Sequence, residues 1–430
     1  MPRPKKVKTE EPVVKTVETT ETPVKKPIKK RGKVLSGKFD LFSNDNIIAE
    51  QKDLLAKAGK VGAFKAITEI NRDNLPVPWM ALQYLIGKIG FTVNTFNEII
   101  GQECVGKSSM MIALACNFIN HNIPTLYINT EPKQIEGPWL RRLAGKDAER
   151  GKAILDRLPV VQCHSYDEMD TTAREWIRVQ RQDIGIPNDT PLVIIIDSIT
   201  HLKTPEESAL QTTGKDKNDI FKALKAGVAD VGGKIGSAAS WMASWCRLFS
   251  DCLDKFNVTV FLVAGQSVKI NASPMGGFGG GDGGASLNGE RIGGAAMKRD
   301  ASVRFTITRA GFLKDSDNKR NIGEKIRARN IKNSYGSKVG DIEYNLKNKD
   351  WKDGPGIIDQ AIDMDAALGE LLVSEGVLGF KVNRKKYSSS QLGIDSLTAS
   401  ELVEYINNNE DVQVAIGQAL GINGYEAYDE

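Results

Sequence analysis

The chain has 430 residues, of which 40% are hydrophobic and 26% are charged, and its formal net charge at pH 7 is +4. This length and composition predict about two or three globular domains. The net charge is too small to indicate a nucleic-acid partner by itself, and no apolar run approaches the roughly twenty residues that span a bilayer. No secretory signal is visible at the N-terminus, so we expect a cytoplasmic protein with no membrane partner.

The five cysteines of the chain are scattered and none has C-x-x-C spacing. They are Cys104, Cys116, Cys163, Cys246 and Cys252. This pattern argues against a disulfide framework or a zinc site, so we expect reduced thiols.

The N-terminal part of the chain divides into two regions. Residues 1–38 mix Lys, Pro, Thr, Val and Glu without periodicity, which predicts a disordered basic tail. Its lysine clusters could contact nucleic acid, act as a targeting signal or simply be solvated. Residues 39–90 form a predicted N-terminal packing element, because apolar residues recur at helical spacing over 44–70.

A phosphate-binding loop pattern, G-x-x-x-x-G-K-[ST], begins at residue 101. Its residues are Gly101, Gln102, Glu103, Cys104, Val105, Gly106, Lys107, Ser108 and Ser109. A predicted strand at 96–100 precedes it and a helical pattern follows it up to Asn120, which is the context this motif needs and which a chance match would lack. Backbone N–H groups and Lys107 would hold the phosphates, and Ser108 would offer its hydroxyl to Mg²⁺. The loop therefore predicts a nucleoside triphosphate site, with Cys104 contributing only its backbone.

Two carboxylates follow predicted buried strands. The strand at 125–130 ends at Glu131, and the strand at 191–198, which is apolar on both faces, closes on Asp197. Because ligands bind at the carboxyl ends of parallel strands, Glu131 could orient the attacking water and Asp197 could support Mg²⁺ beside Ser108. Alternatively, Glu131 is a solvent-facing strand end and Asp197 caps a turn.

Another buried strand is predicted at 258–265, and Gln266 follows it directly. An amide there can hydrogen-bond a γ-phosphate and respond to its loss. The glycine-rich stretch 272–294 that follows predicts either a mobile loop tied to this phosphate sensor or a passive linker.

The rest of the chain completes an α/β pattern. Segment 203–237 is polar and contains several glycines, which predicts a segment that lies outside the sheet. Two further strands, at 301–308 and 325–332, are predicted to complete the sheet. From 357 to 422 the pattern becomes mainly helical, which predicts a small C-terminal domain.

This order of parts resembles the RecA family of recombinases, in particular its phage members of the UvsX type, over about 94–422. The most specific section is 292–304, Ile-Gly-Gly-Ala-Ala-Met-Lys-Arg-Asp-Ala-Ser-Val-Arg, which is similar to the family segment G-G-x-A-L-K-x-x-A-S-V-R. The resemblance implies an α/β fold: a RecA-type P-loop ATPase core with a mainly parallel central sheet at 91–356. It also implies a polymerisation role for 39–90 and a small α+β C-terminal domain at 357–430.

The resemblance also implies ATP and Mg²⁺ as ligands and a role for each candidate residue. Lys107 would bind phosphates, Ser108 and Asp197 would form the metal site, Glu131 would be the water-activating base and Gln266 the γ-phosphate sensor. The two DNA-binding loops of the family would fall at about 203–237 and 268–297.

Three features depart from the family pattern. Trp139 stands where family members stack a tyrosine on the adenine, and it could stack there or be a buried structural residue. Only the first lysine of the K-x-K pair that reaches the neighbouring subunit's ATP is matched, by Lys332, so this contact could be weaker or use Lys338. Both predicted DNA-binding loops are longer and richer in glycine than the bacterial pattern, and Met275 and Phe278 are the candidates for separating DNA bases.

The function that the resemblance implies is a DNA-dependent ATPase that forms helical filaments on single-stranded DNA and catalyses homologous pairing and strand exchange. Its partners would be single- and double-stranded DNA, further copies of the chain, and single-strand-binding and loader proteins, in a bacterial or phage-infected cytoplasm. Two alternatives remain open: another motor on the same core, such as a hexameric helicase or a clock-type ATPase, and an ATP-dependent protein that coats DNA without exchanging strands.

Overall fold

The computed structural model describes residues 73–131, 137–144, 148–204, 237–266, 296–314, 321–335, 340–347 and 361–425. All of them belong to one compact unit, Arg72–Glu430. The predicted tail, the helical pattern at 44–70 and most of both predicted DNA-binding loops lie outside the described residues, as do Met275, Phe278 and Lys338.

The strands of the described residues form three sheets. In chain order they are β1 (Asn74–Pro76), β2 (Gly90–Thr92), β3 (Phe96–Gly101), β4 (Thr125–Asn129), β5 (Val160–Gln162), β6 (Leu192–Asp197), β7 (Val258–Gly265), β8 (Ala301–Lys314), β9 (Asn321–Asn333), β10 (Asp341–Lys347), β11 (Ile362–Asp363), β12 (Lys381–Asn383), β13 (Lys386–Ser389) and β14 (Ile394–Leu397).

The helices lie between these strands. They are α1 (Met80–Ile86), α2 (Lys107–Asn120), α3 (Gly137–Ala144), α4 (Ala148–Leu155), α5 (Tyr166–Arg178) with a π-helical turn (Val179–Asp183), α6 (Ser237–Lys255), α7 (Ala296–Asp300), α8 (Asp365–Ser374) with a 3-10 turn (Val377–Gly379), α9 (Ala399–Asn408) and α10 (Glu410–Ala419). None of the helices in these described ranges is long and apolar enough to cross a membrane.

The central sheet has nine strands in the order β11-β10-β9-β8-β3-β7-β6-β4-β5. Strands β8, β3, β7, β6, β4 and β5 run parallel to their neighbours, whereas β8 to β11 are joined by antiparallel pairing. The fold is therefore α/β with a large, mostly parallel central sheet, as the sequence pattern predicted.

The central strands are apolar on both faces because helices cover both faces of the sheet. Strand β4 illustrates this, since Tyr127 belongs to the hydrophobic cluster that includes α2, while Leu126 and Ile128 belong to the cluster that includes α5 and α6. Every residue of β6 is buried. The predicted strands at 96–100, 125–130, 191–198 and 258–265 are confirmed to within about two residues.

The closing strands and the C-terminal part differ from the sequence pattern. Strands β8 and β9 are longer than predicted, because they pair with each other as far as Lys314 and Asn321, past Ile307, the last residue of β8 that pairs with β3. Between α8 and α9, the short strands β12, β13 and β14 form a three-stranded antiparallel sheet that the mainly helical pattern did not indicate.

Candidate active site

The site lies at one edge of the sheet because of strand order and register. Gly101 pairs with Gly265 at the end of β3 and β7, and Asn129 pairs with Asp197 at the end of β4 and β6. The carboxyl ends of these four parallel strands therefore lie side by side. The phosphate-loop motif, Gln266, Asp197 and Glu131 all follow these ends, and this brings them to one edge.

Two glycines shape the loop between β3 and α2. Gly106 has φ 84° immediately before the first helical residue, and a Cβ there would lie 2.6 Å from the Leu346 side chain. A Cβ on Gly101 would lie 2.4 Å from the backbone oxygen of Ile307. The positive φ and the close approaches explain why these positions need glycine. The helix that follows presents free backbone N–H groups, which favour an anion such as phosphate.

Lys107 is the first residue of α2, and its ammonium group donates a hydrogen bond to the backbone oxygen of Gln102. Burial lowers the pKa of Lys107, while the nearby carboxylates of Asp197 and Glu131 act in the opposite direction. The ammonium group is thus hydrogen-bonded to the loop backbone and lies near two carboxylates.

Asp197 is 3% exposed, and burial raises the pKa of its carboxyl, whereas hydrogen bonding from Ser108 and Tyr127 lowers it. The Tyr127 hydroxyl donates to Asp197 Oδ2. Oδ1 is buried, and none of the described residues makes a well-formed hydrogen bond to it. Tyr127 therefore engages Oδ2, whereas Oδ1 is a buried oxygen without a well-formed hydrogen bond to the described residues.

Glu131 sits at the rim of the site. Its backbone is held from two sides, since its carbonyl accepts hydrogen bonds from Asn129 Nδ2 and Gln162 Nε2, both at 3.1 Å. Its carboxylate lies 3.7 Å from His201 Nε2, and its side chain is 35% exposed. A fixed backbone with a partly exposed carboxylate suits a group that must reach a water molecule.

Gln266 follows β7 directly, and its backbone N–H donates to the Gly101 carbonyl at 3.1 Å. The residue is partly buried and adjoins the start of the loop. Residue 267, the next in the chain, lies outside the described residues. The structure therefore places the predicted phosphate sensor beside the loop at the point where the predicted second DNA-binding loop begins.

These donors fit Mg²⁺. The Ser108 hydroxyl and Asp197 Oδ1 are hard oxygen donors, and Mg²⁺ is commonly held by one or two carboxylates together with substrate phosphates. No cluster of three or more His, Cys, Asp or Glu side chains that could hold a metal ion is found in the described part of the chain.

Lys332 is not brought to this edge. It pairs with Arg304 near the start of β8, and its ammonium group donates to the Arg299 carbonyl at 2.7 Å. Since β8 runs parallel to β3, that position lies toward the opposite end of the strands from the loop. Trp139 lies in α3, with its side chain outside the described part.

Sequence reasoning missed two residues of the site, Tyr127 and His201. Tyr127 is a polar residue at an inward position of a buried strand, which was a signal available in the sequence. His201 follows Asp197 by four residues in a turn, and nothing in its spacing indicated a contact with Glu131.

Fold and site together define an α/β protein with a candidate phosphate-binding loop at the carboxyl edge of its parallel strands. No protein-family model matches the chain, and a search of curated proteins found no significantly similar sequence.

Proposed function

We propose that the chain is a Mg²⁺-dependent ATP hydrolase. The observation that carries this proposal is the convergence of Lys107, Ser108, Asp197 and Glu131 at one sheet edge, around a glycine-shaped loop at a helix start. A partly buried cation, a buried carboxylate whose Oδ1 makes no well-formed hydrogen bond to the described residues, and a rim carboxylate are the parts that phosphoryl transfer needs.

Each residue has a distinct role in this proposal. The loop N–H groups and Lys107 bind the phosphates of ATP, and Ser108 and Asp197 hold Mg²⁺ directly or through water. When bound, the metal ion neutralises charge on the phosphate oxygens. Glu131 orients a water molecule in line with the terminal phosphate and accepts its proton.

We further propose that this hydrolysis is coupled to DNA, in a protein that forms filaments on single-stranded DNA and exchanges strands with a homologous duplex. The similarity of 292–304 to the recombinase family supports this, as does the position of Gln266 between the loop and the glycine-rich segment. Lys332, whose ammonium group lies toward the opposite end of the strands from its own loop, would serve the nucleotide of a neighbouring subunit.

The first test separates binding from hydrolysis. We expect Lys107→Ala to abolish ATP turnover, and Glu131→Gln to retain ATP binding while turnover falls by about 10²- to 10⁴-fold, because a general base is lost without removing a phosphate contact. The measurements are nucleotide binding and phosphate release with purified protein. Turnover at the wild-type rate in Glu131→Gln would remove Glu131 from its role.

The second test concerns DNA. Electron microscopy of the full chain with ATP and single-stranded DNA should show helical filaments, and addition of homologous duplex should yield joint molecules. Rings of fixed subunit number with unwinding activity would instead indicate a helicase. Coated DNA without joint molecules would indicate a protein that only covers DNA.

A further inference from the structure

Tyr127 brings a hydroxyl group into the interior of the sheet. Its side chain has no solvent exposure, and the neighbouring residues of β4 are buried as well. A hydroxyl in such surroundings costs free energy unless it is hydrogen-bonded. Phenylalanine would fill the same space without that cost, so packing alone does not account for the hydroxyl.

The Tyr127 hydroxyl lies near the two residues that would hold the metal ion. It donates to Asp197 Oδ2. Burial raises the pKa of the Tyr127 hydroxyl, and Ser108, the loop residue next to Lys107, lies near enough to lower it. These three residues come from β4, β6 and the start of α2. One buried phenol is thus hydrogen-bonded to a strand-end carboxylate and lies near the hydroxyl of the phosphate loop.

We propose that Tyr127 is a positioning residue of the Mg²⁺–nucleotide site, which fixes the Asp197 carboxylate through Oδ2 so that only Oδ1 is presented to the metal ion. This inference rests on the proposed ATPase function. It explains why Oδ2 is engaged by protein while Oδ1, which is also buried within Asp197's 3% exposure, makes no well-formed hydrogen bond to any described residue. Partners that orient a metal ligand in this way typically change metal affinity by about 10- to 100-fold when they are lost.

The test is Tyr127→Phe, with Tyr344→Phe as its matched control. Tyr344 is buried too, at 2% exposure, but its hydroxyl has no hydrogen-bond partner within the described residues. Its loss therefore removes a buried hydroxyl without removing a contact to the site. Binding of a fluorescent, non-hydrolysable ATP analogue to the full chain is titrated with Mg²⁺, and bound Mn²⁺ is counted by electron paramagnetic resonance.

We expect Tyr127→Phe to raise the Mg²⁺ and Mn²⁺ concentrations for half-maximal binding about 10- to 100-fold, with metal-free nucleotide affinity unchanged. Tyr344→Phe should match the wild type. Thermal unfolding in chelator checks that Tyr127→Phe is folded; if it is not, Tyr127→Leu lacks the same hydroxyl and must show the same shift.

Two outcomes overturn the inference, and they are distinguishable. If the wild-type chain shows Mg²⁺-stimulated nucleotide binding and the folded Tyr127 variants keep its metal dependence, or Tyr344→Phe shifts it equally, Tyr127 does not position the metal site while the ATPase proposal stands. If the wild-type chain shows no Mg²⁺-stimulated nucleotide binding, both proposals fall.

Discussion

Lys107 and Asp197 each lie in surroundings that disfavour their own charge. Burial lowers the pKa of the lysine and raises the pKa of the aspartate, and each charge partly offsets the shift of the other. A buried charge without its counter-charge is costly, so each residue stabilises the ionised form of the other. At the residue scale, the proposed nucleotide site therefore has both charged groups in place before any ligand binds.

Cys104 provides a probe of the loop. Of the five cysteines, all within described parts of the chain, it alone is exposed. Burial raises the pKa of Cys116 to about 12 and also raises the pKa values of Cys163 and Cys252, which disfavours their reactive thiolates. We expect one cysteine per chain to react fast with a thiol reagent, and this fast reaction to be lost in Cys104→Ser. Saturating Mg²⁺–ATP should slow the reaction at least about tenfold, because the ligand covers the loop. Reaction time courses with a chromogenic disulfide measure this, and equal rates with and without nucleotide would contradict nucleotide binding at the loop.

At the element scale, the strands predicted well are those whose own residues specify them. Strands β6 and β7 are continuous apolar runs, which a buried parallel strand requires, whereas β12 and β13 are short and rich in Lys, Asn and Ser. Such short polar strands exist because of tertiary pairing, which a local pattern does not contain.

The same distinction applies to the candidate site. Lys107 and Ser108 belong to a local motif, and Asp197 and Glu131 follow strand ends, so sequence alone could nominate them. The contact of Tyr127 with Asp197 joins residues 70 positions apart and depends on the pairing of β4 with β6. Long-range contacts of this kind follow from strand order, which the sequence pattern left undetermined.

The pairing of β3 with β8 contains a buried ion pair that offers an element-scale prediction. Glu98 and Arg304 are register partners with a 2.6 Å contact, and their side chains are 0% and 8% exposed. We expect Glu98→Gln to lower the free energy of unfolding by about 3 to 5 kcal/mol, because Arg304 is left buried and charged. Replacing both, with Glu98→Leu and Arg304→Met, should recover most of that loss. Urea unfolding measures both variants, and a loss below about 1 kcal/mol in Glu98→Gln would show that the pair is solvated in solution.

At the scale of the whole molecule, the residues of the proposed nucleotide site follow one edge of the parallel strands, whereas Lys332 lies toward the other edge. In this structure the Lys332 ammonium group is hydrogen-bonded to the Arg299 carbonyl, before the start of β8, and so points away from the phosphate loop of its own chain. If Lys332 acts on a nucleotide, that nucleotide belongs to another copy, which is the arrangement expected of the proposed filament.

In the proposed mechanism, Gln266 links the nucleotide bound at the phosphate loop to the affinity for DNA. Its backbone N–H donates a hydrogen bond to the Gly101 carbonyl at the start of the phosphate loop. The predicted second DNA-binding loop follows it in the chain, from about residue 268. We expect Gln266→Ala to retain ATP binding, because Lys107 and the loop remain, but to reduce about 5- to 150-fold the factor by which ATP strengthens DNA affinity.

The measurement is the affinity for single-stranded oligonucleotide with ATP, with ADP and without nucleotide, at one fixed salt concentration because phosphate contacts are strongly salt-dependent. Gln182→Ala, at an exposed position of the π-helical turn, is the matched control and should behave as the wild type. An undiminished response to ATP in Gln266→Ala would mean that the γ-phosphate acts on DNA by another route. A wild-type chain whose DNA affinity is equal in all three nucleotide states would contradict the recombinase proposal itself and leave only the nucleotide site.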